Sequence, residues 1–128
     1  MAEHAPHRHH GIDYIELAQT DLEAAKAFYR AAFGWTFTDY GPDYVGYSDG
    51  RTHDGASVEA GGFRREAAVV TGGPLVILYS RSLAATRDAV KAAGGRLTKD
   101  IFAFPGGRRF QFLDPSGNEL AVWSDVDD

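Results

Sequence analysis

Shifted by 61 residues, the chain overlaps itself. Thr20-Asp-Leu-Glu-Ala-Ala-Lys-Ala-Phe-Tyr-Arg-Ala-Ala-Phe-Gly34 lies over Arg81-Ser-Leu-Ala-Ala-Thr-Arg-Asp-Ala-Val-Lys-Ala-Ala-Gly-Gly95. Leu22/Leu83, Ala24/Ala85, Ala31-Ala32/Ala92-Ala93 and Gly34/Gly95 are identical, and Lys26/Arg87 and Arg30/Lys91 keep their charge. Apolar residues recur at helical spacing in both segments, at Leu22, Ala25, Tyr29, Ala32 and Phe33 and at Leu83, Thr86, Val90 and Ala93. Thr20 or Asp21 and Ser82 stand where N-caps belong, and Gly34 and Gly94-Gly95 where a left-handed residue ends a helix. A repeat of this length means one small supersecondary unit used twice.

Strand-like runs flank each helix. Ile12–Leu17 precedes the first, and Thr36–Tyr40, Tyr44–Ser48 and Ala56–Phe63 follow it. Leu75–Tyr79 precedes the second, and Arg96–Phe102, Arg108–Leu113 and Glu119–Ser124 follow it. The expected order is βαβββ twice, in an α+β fold: tandem modules over 11–63 and 74–125, joined by a linker over 64–73. Neither module can cover both faces of its own sheet. The economical solution places the helices on the outer face of a curled mixed sheet and leaves a concave cup on the other.

The length of 128 residues sets one domain as the expectation. With 13 Lys and Arg against 18 Asp and Glu, the net charge of −5 lacks the positive field that holds nucleic acid. No apolar run reaches the roughly 18 residues of a membrane span. The absence of cysteine excludes thiolate chemistry and disulfides and fits a reducing, cytoplasmic setting. Residues 1–10 carry four of the five histidines and are expected to be a flexible tail without a functional metal site.

The duplicated frame carries Thr20-Asp21-Leu22 opening the first helix, Phe28-Tyr29 and Phe33-Gly34-Trp35 at its end, and Asp114-Pro115-Ser116-Gly117-Asn118 before the last strand. In this order these motifs resemble the vicinal oxygen chelate superfamily, which contains glyoxalase I, bleomycin-resistance proteins and extradiol dioxygenases. The resemblance implies a homodimer and a cup that often holds a divalent metal on the first and last strands of the modules. Carried over position by position, the implied ligand slots fall on Tyr14, Leu75, Ala121 and the neighbourhood of Glu59. A tightly held divalent ion needs about three protein ligands, so no metal and no cofactor is expected. Glu16, Glu59, Glu119 or His53 could serve only in an unusual geometry.

Strand alternation points Tyr14 and Glu16 into the cup, with Ile77, Tyr79, Glu119 and Trp123 from the second module, while Leu120 and Val122 turn to the helices. Arg109 and Gln111 share one face and Phe110 and Phe112 the other, and the polar pair is assigned to the cup. Tyr14, Glu59, Tyr79, Arg109, Gln111 and Trp123 are therefore the candidate ligand-binding residues. Glu16 is the candidate catalytic residue, because a carboxylate among Tyr14, Ile77 and Trp123 would be desolvated and suited to proton transfer; the competing role is an ion pair with Arg109 or another cation. Phe104-Pro-Gly-Gly-Arg-Arg109 reads as a hairpin with solvated arginines or as a turn over an anionic ligand, and His53 as a loop histidine. Two functions follow from the resemblance and the cup. One is metal-free binding of a small aromatic or hydrophobic molecule. The other is a lyase, isomerase or dioxygenase using Glu16 or Glu59 as base or metal ligand.

Overall fold

The computed structural model describes His9, His10 and residues 12–126. Apart from His9 and His10, the histidine-rich stretch lies outside the described residues. In chain order the elements are β1 (Ile15–Gln19), α1 (Leu22–Phe33), β2 (Thr36–Asp39), β3 (Tyr44–Ser48), β4 (Thr52–His53), β5 (Ala56–Ser57), β6 (Gly61–Arg65), β7 (Val76–Tyr79), α2 (Leu83–Ala92), β8 (Arg96–Phe104), β9 (Gly107–Leu113) and β10 (Glu119–Ser124). The 61-residue shift carries the start of β1 onto the start of β7 and the start of α1 onto the start of α2.

Two four-stranded sheets result, ordered β1-β6-β3-β2 and β7-β10-β9-β8. In each, the first strand runs parallel to the last, and the other pairs are antiparallel. This is the mixed α+β, tandem βαβββ arrangement, with curled sheets that do not close. The single strand expected over Ala56–Phe63 is instead two. Ala56 and Ser57 pair back onto β4 through Asp54-Gly55, both at positive φ (54° and 81°), as a two-residue hairpin turn requires. Only from Gly61 does the chain join the main sheet. The first strand also begins later than expected, at Ile15 rather than Ile12, which leaves Tyr14 just ahead of it.

Asp21 caps α1 by accepting the Ala24 amide at 3.0 Å, and Gly34 closes the helix at φ 74°. Thr20 plays no capping part; its amide and hydroxyl go to Ser116 Oγ. Ser82 makes no side-chain cap, and its amide is held by Ser80 Oγ at 2.9 Å. The helices pack on each other and on one face of the sheets. Leu22, Ala25, Phe28 and Tyr29 meet Val45, Phe63, Phe110, Phe112, Leu120 and Val122 in a single core. Aromatic rings fill its first half, with Tyr29 stacked on Trp35 at 4.7 Å and Trp35 on Tyr47 at 4.6 Å.

The Asp-Pro-Ser-Gly-Asn turn ties the modules together. Asp114 is 4% exposed. Its Oδ1 accepts the amides of Ser116, Gly117 and Asn118, and its Oδ2 accepts Gln19 Nε2, the Tyr29 hydroxyl and Asn118 Nδ2. Asn118 Nδ2 also reaches the Ala18 carbonyl at 2.7 Å. A buried carboxylate is tolerated only with such a donor shell, and here two of the three donating side chains, Gln19 and Tyr29, come from the first module.

All six tyrosines hold their protons above the ordinary phenol value of 10.0. For Tyr14, Tyr29, Tyr44 and Tyr47 burial is the main cause. For Tyr40 and Tyr79 it is the hydrogen bond each donates to a carboxylate, Glu59 and Asp125. In the unfolded chain phenols ionise from about pH 10, while in the fold they remain neutral, so above that pH the unfolded state binds fewer protons and stability falls as pH rises. Below it the tyrosines add no pH dependence. Phenolate absorbance is expected to appear late and, for the buried rings, together with loss of circular dichroism; phenolate from every tyrosine at pH 10 in a folded protein would overturn this.

Candidate functional site

On the cup side of the first sheet, Glu16, Gly62, Gly46 and Thr38 form one cross-strand row. The two glycines are functional in a steric sense. A Cβ on Gly62 would land on the Tyr44 hydroxyl and ring, and one on Gly46 on the Glu59 carboxylate and, at 2.9 Å, the edge of Tyr40. With no side chains there, Tyr44 and Glu59 lie down across the sheet. Tyr44 donates to Glu16 Oε2 at 2.9 Å and shares a hydrogen bond with the Tyr14 hydroxyl at 3.0 Å. Arg64 pairs with the other Glu16 oxygen at 3.0 Å, and Tyr40 donates to Glu59 at 2.8 Å.

For Glu16 the cluster supplies the ion pair with a cation other than Arg109. Its side chain is 41% exposed and its partner is Arg64. Both of its oxygens are engaged. Glu59 stands between β5 and β6, not within a strand, with Tyr40 on one oxygen. A cleft of about 440 Å³ opens beside the cluster, where β1 and the linker meet the second module, and is lined by Glu16, Arg64, Glu66, Val70, Pro74 and Glu119. Glu16 alone among the candidates reaches it.

The second sheet gathers the remaining candidates in register. Tyr79 on β7, Trp123 on β10, Arg109 on β9 and Phe102 on β8 are direct cross-strand partners and form one rank across all four strands. The next rank is Ile77, Ala121, Gln111 and Lys99. Phe110, Phe112, Leu120 and Val122 point the other way and are fully buried beneath the helices. Tyr79 meets Trp123 edge-on at 5.2 Å and donates to Asp125 at 2.6 Å. The Arg109 guanidinium lies over Phe102 at 5.2 Å and Phe104 at 5.7 Å, and Phe104 reaches Trp123 at 6.3 Å. Gln111 donates to Glu119 at 3.1 Å, and Thr98 to the same oxygen at 2.7 Å.

The candidates therefore fall into two groups, Tyr14, Glu16 and Glu59 on the first sheet, and Tyr79, Trp123, Arg109 and Gln111 on the second. Among the described residues no hydrogen bond or ring contact joins the groups. As site residues, the sequence reading missed Arg64 and Lys99, and it marked Tyr40, Tyr44, Phe102 and Phe104 only as aromatics for a subunit interface. Strand glycines at 46 and 62 were the available signal for the tyrosines, since a glycine inside a strand marks close approach by another group. His53 sits in the β4–β5 hairpin, 3.4 Å from Asp54.

The four positions to which the resemblance assigns metal ligands do not fit a divalent ion. Tyr14 is tied to Tyr44, Leu75 and Ala121 have no donor atom, and Glu59 is held by Tyr40. Among the described residues no three His, Cys, Asp or Glu side chains converge as a ligand set. Among them, too, no helix is long and apolar enough to cross a membrane.

Comparison with known proteins places this geometry. Solved structures share the fold over nearly the whole chain. A glyoxalase-related enzyme from Fulvimarina pelagi is 24% identical, with 89% of this chain and 87% of that one covered and a TM-score of 0.70. A glyoxalase/bleomycin resistance protein/dioxygenase family enzyme from Burkholderia phytofirmans PsJN is 18% identical, with 90% and 98% covered and a TM-score of 0.72. A lactoylglutathione lyase from Agrobacterium tumefaciens is 19% identical, with 89% and 92% covered and a TM-score of 0.67. No curated protein matches the sequence. The model of one family matches residues 11–122, and with it the duplicated modules and the Asp114–Asn118 turn find their place: the chain belongs to the glyoxalase/bleomycin resistance protein/dioxygenase superfamily.

Proposed function

We propose that this protein binds a small, flat, aromatic or hydrophobic molecule on the concave face of its second sheet, without the divalent ion of its metal-dependent relatives. The observation that carries the reading is the rank Tyr79–Trp123–Arg109–Phe102 on one face of the second sheet. Three rings and a planar cation side by side give an apolar surface against which a ring can lie. Apolar surroundings with a few placed polar groups are the usual makeup of a small-molecule site. Ile77 and Tyr79 are about half exposed in the single chain, so the reading includes a homodimer in which a second copy completes the cup.

The lyase or isomerase alternative requires a carboxylate free to take a proton. Glu16 has both oxygens engaged and Glu59 one, and the binding reading therefore stands first.

The test is calorimetric titration with fused-ring aromatic compounds. Saturable binding is expected, and Trp123→Ala should weaken it about 10- to 100-fold, the loss of one ring contact and its buried area. Unchanged affinity in Trp123→Ala for every binder found would place the site elsewhere.

A further inference from the structure

Resting on that reading, we infer that the ligand carries an anionic group, a carboxylate or its equivalent, which Arg109 holds while the ring lies against Trp123. The argument begins with what Arg109 lacks. Four other strand and helix cations have a carboxylate: Lys26 has Glu23 and Asp39, Arg64 has Glu16 and Glu66, Arg65 has Asp43, and Arg87 has Asp88 and Asp100. Arg109 has no carboxylate partner among the described residues, and its Nε is buried with no hydrogen-bond partner. A buried donor left unpaired is unfavourable by itself and marks a place where a partner belongs.

Its surroundings fix how that partner approaches. A guanidinium laid over Phe102 and Phe104 has its face occupied. Its N–H edge is what remains, and that edge matches a carboxylate in two-point geometry. Lys99, one rank away and 5.7 Å from the Phe102 ring, adds a second positive charge on the same side. Glu119, two ranks from Arg109, has one oxygen held by Thr98 and Gln111. Trp123 is the direct cross-strand partner of Arg109, so an anionic group on the guanidinium edge places an attached ring beside the indole. The recognised class is a planar organic acid with its carboxylate attached to, or one atom from, the ring.

Three probes of one shape separate this inference from the reading beneath it: 2-naphthoate, 2-naphthamide and 2-naphthylmethylammonium, titrated calorimetrically into the full chain. The carboxylate is expected to bind about 10- to 100-fold more tightly than the amide, the range for a charge-assisted hydrogen-bond pair, and the ammonium most weakly. Arg109→Gln should erase the difference between the carboxylate and the amide, whatever it costs both in common, and Arg109→Lys should keep only part of that difference. Equal binding of the three probes, or a carboxylate preference that survives Arg109→Gln, overturns the anion inference and leaves the aromatic surface standing. Binding of none overturns both.

Discussion

Replacing Asp114 by alanine is expected to lower the unfolding free energy by about 4 kcal/mol, because buried donors that lose their acceptor cost about 1–3 kcal/mol each. Gln19 and Tyr29 are fully buried, and Asp114 is the acceptor for both the Gln19 amide and the Tyr29 hydroxyl. The three turn amides also lose Oδ1, though they lie where water can replace it. The damage should be to the joint between modules, since the donors at Gln19 and Tyr29 belong to the first and the acceptor to the second. Urea unfolding of Asp114→Ala beside Tyr29→Phe gives the comparison, the latter removing one donor for about 1 kcal/mol. A loss below 1 kcal/mol in Asp114→Ala would mean that the joint is held by apolar packing alone.

Gly61→Ala carries the second large effect. A Cβ at this position would fall on the backbone carbonyl oxygen of Ile15 and on the Tyr47 phenol, which donates to that same oxygen at 2.9 Å. A side-chain tip can swing aside, but a strand carbonyl cannot without loosening the β1–β6 pairing. Overpacking of this kind costs about 3 kcal/mol, and amide exchange should quicken along β1 and β6 more than in the second sheet. Wild-type stability in Gly61→Ala would show that β1 can shift freely, and the placement of Glu16 would then be loose as well. Gly46 and Gly62 differ, since their neighbours are side chains; substitution there should disturb the cluster rather than the fold.

The repeat made the architecture readable, because helix periodicity and caps are local properties and the same pattern appeared twice. Leu22 and Leu83 open their helices where the shift puts them. What failed in the reading is what depends on partners distant in sequence. Alternation placed Glu16 on one face of β1 and an ion pair was among its expected roles, yet alternation could not name the cation, Arg64, 48 residues on. Asp114 was visible only as a turn former, and its role as acceptor for Gln19, 95 residues away, belongs to the tertiary fold. The β4–β5 hairpin was overlooked although Asp54-Gly55 is a strong turn pair. On the second sheet, alternation was enough to put Tyr79, Trp123, Arg109 and Gln111 on one face; it could not show that Phe102 and Phe104 hold the guanidinium flat.

The unlike faces of the two sheets have a consequence for how such a protein can change. A cup built from two identical half-chains would receive every mutation twice, on opposite walls at once. Joined in one polypeptide, the copies have parted: one lays tyrosines and carboxylates over glycines, the other sets rings and a cation around Ala121. A single substitution now alters one wall only. Under the proposed binding function, one wall can change what it accepts while the other stays as it is, and the two can tell one end of an asymmetric molecule from the other.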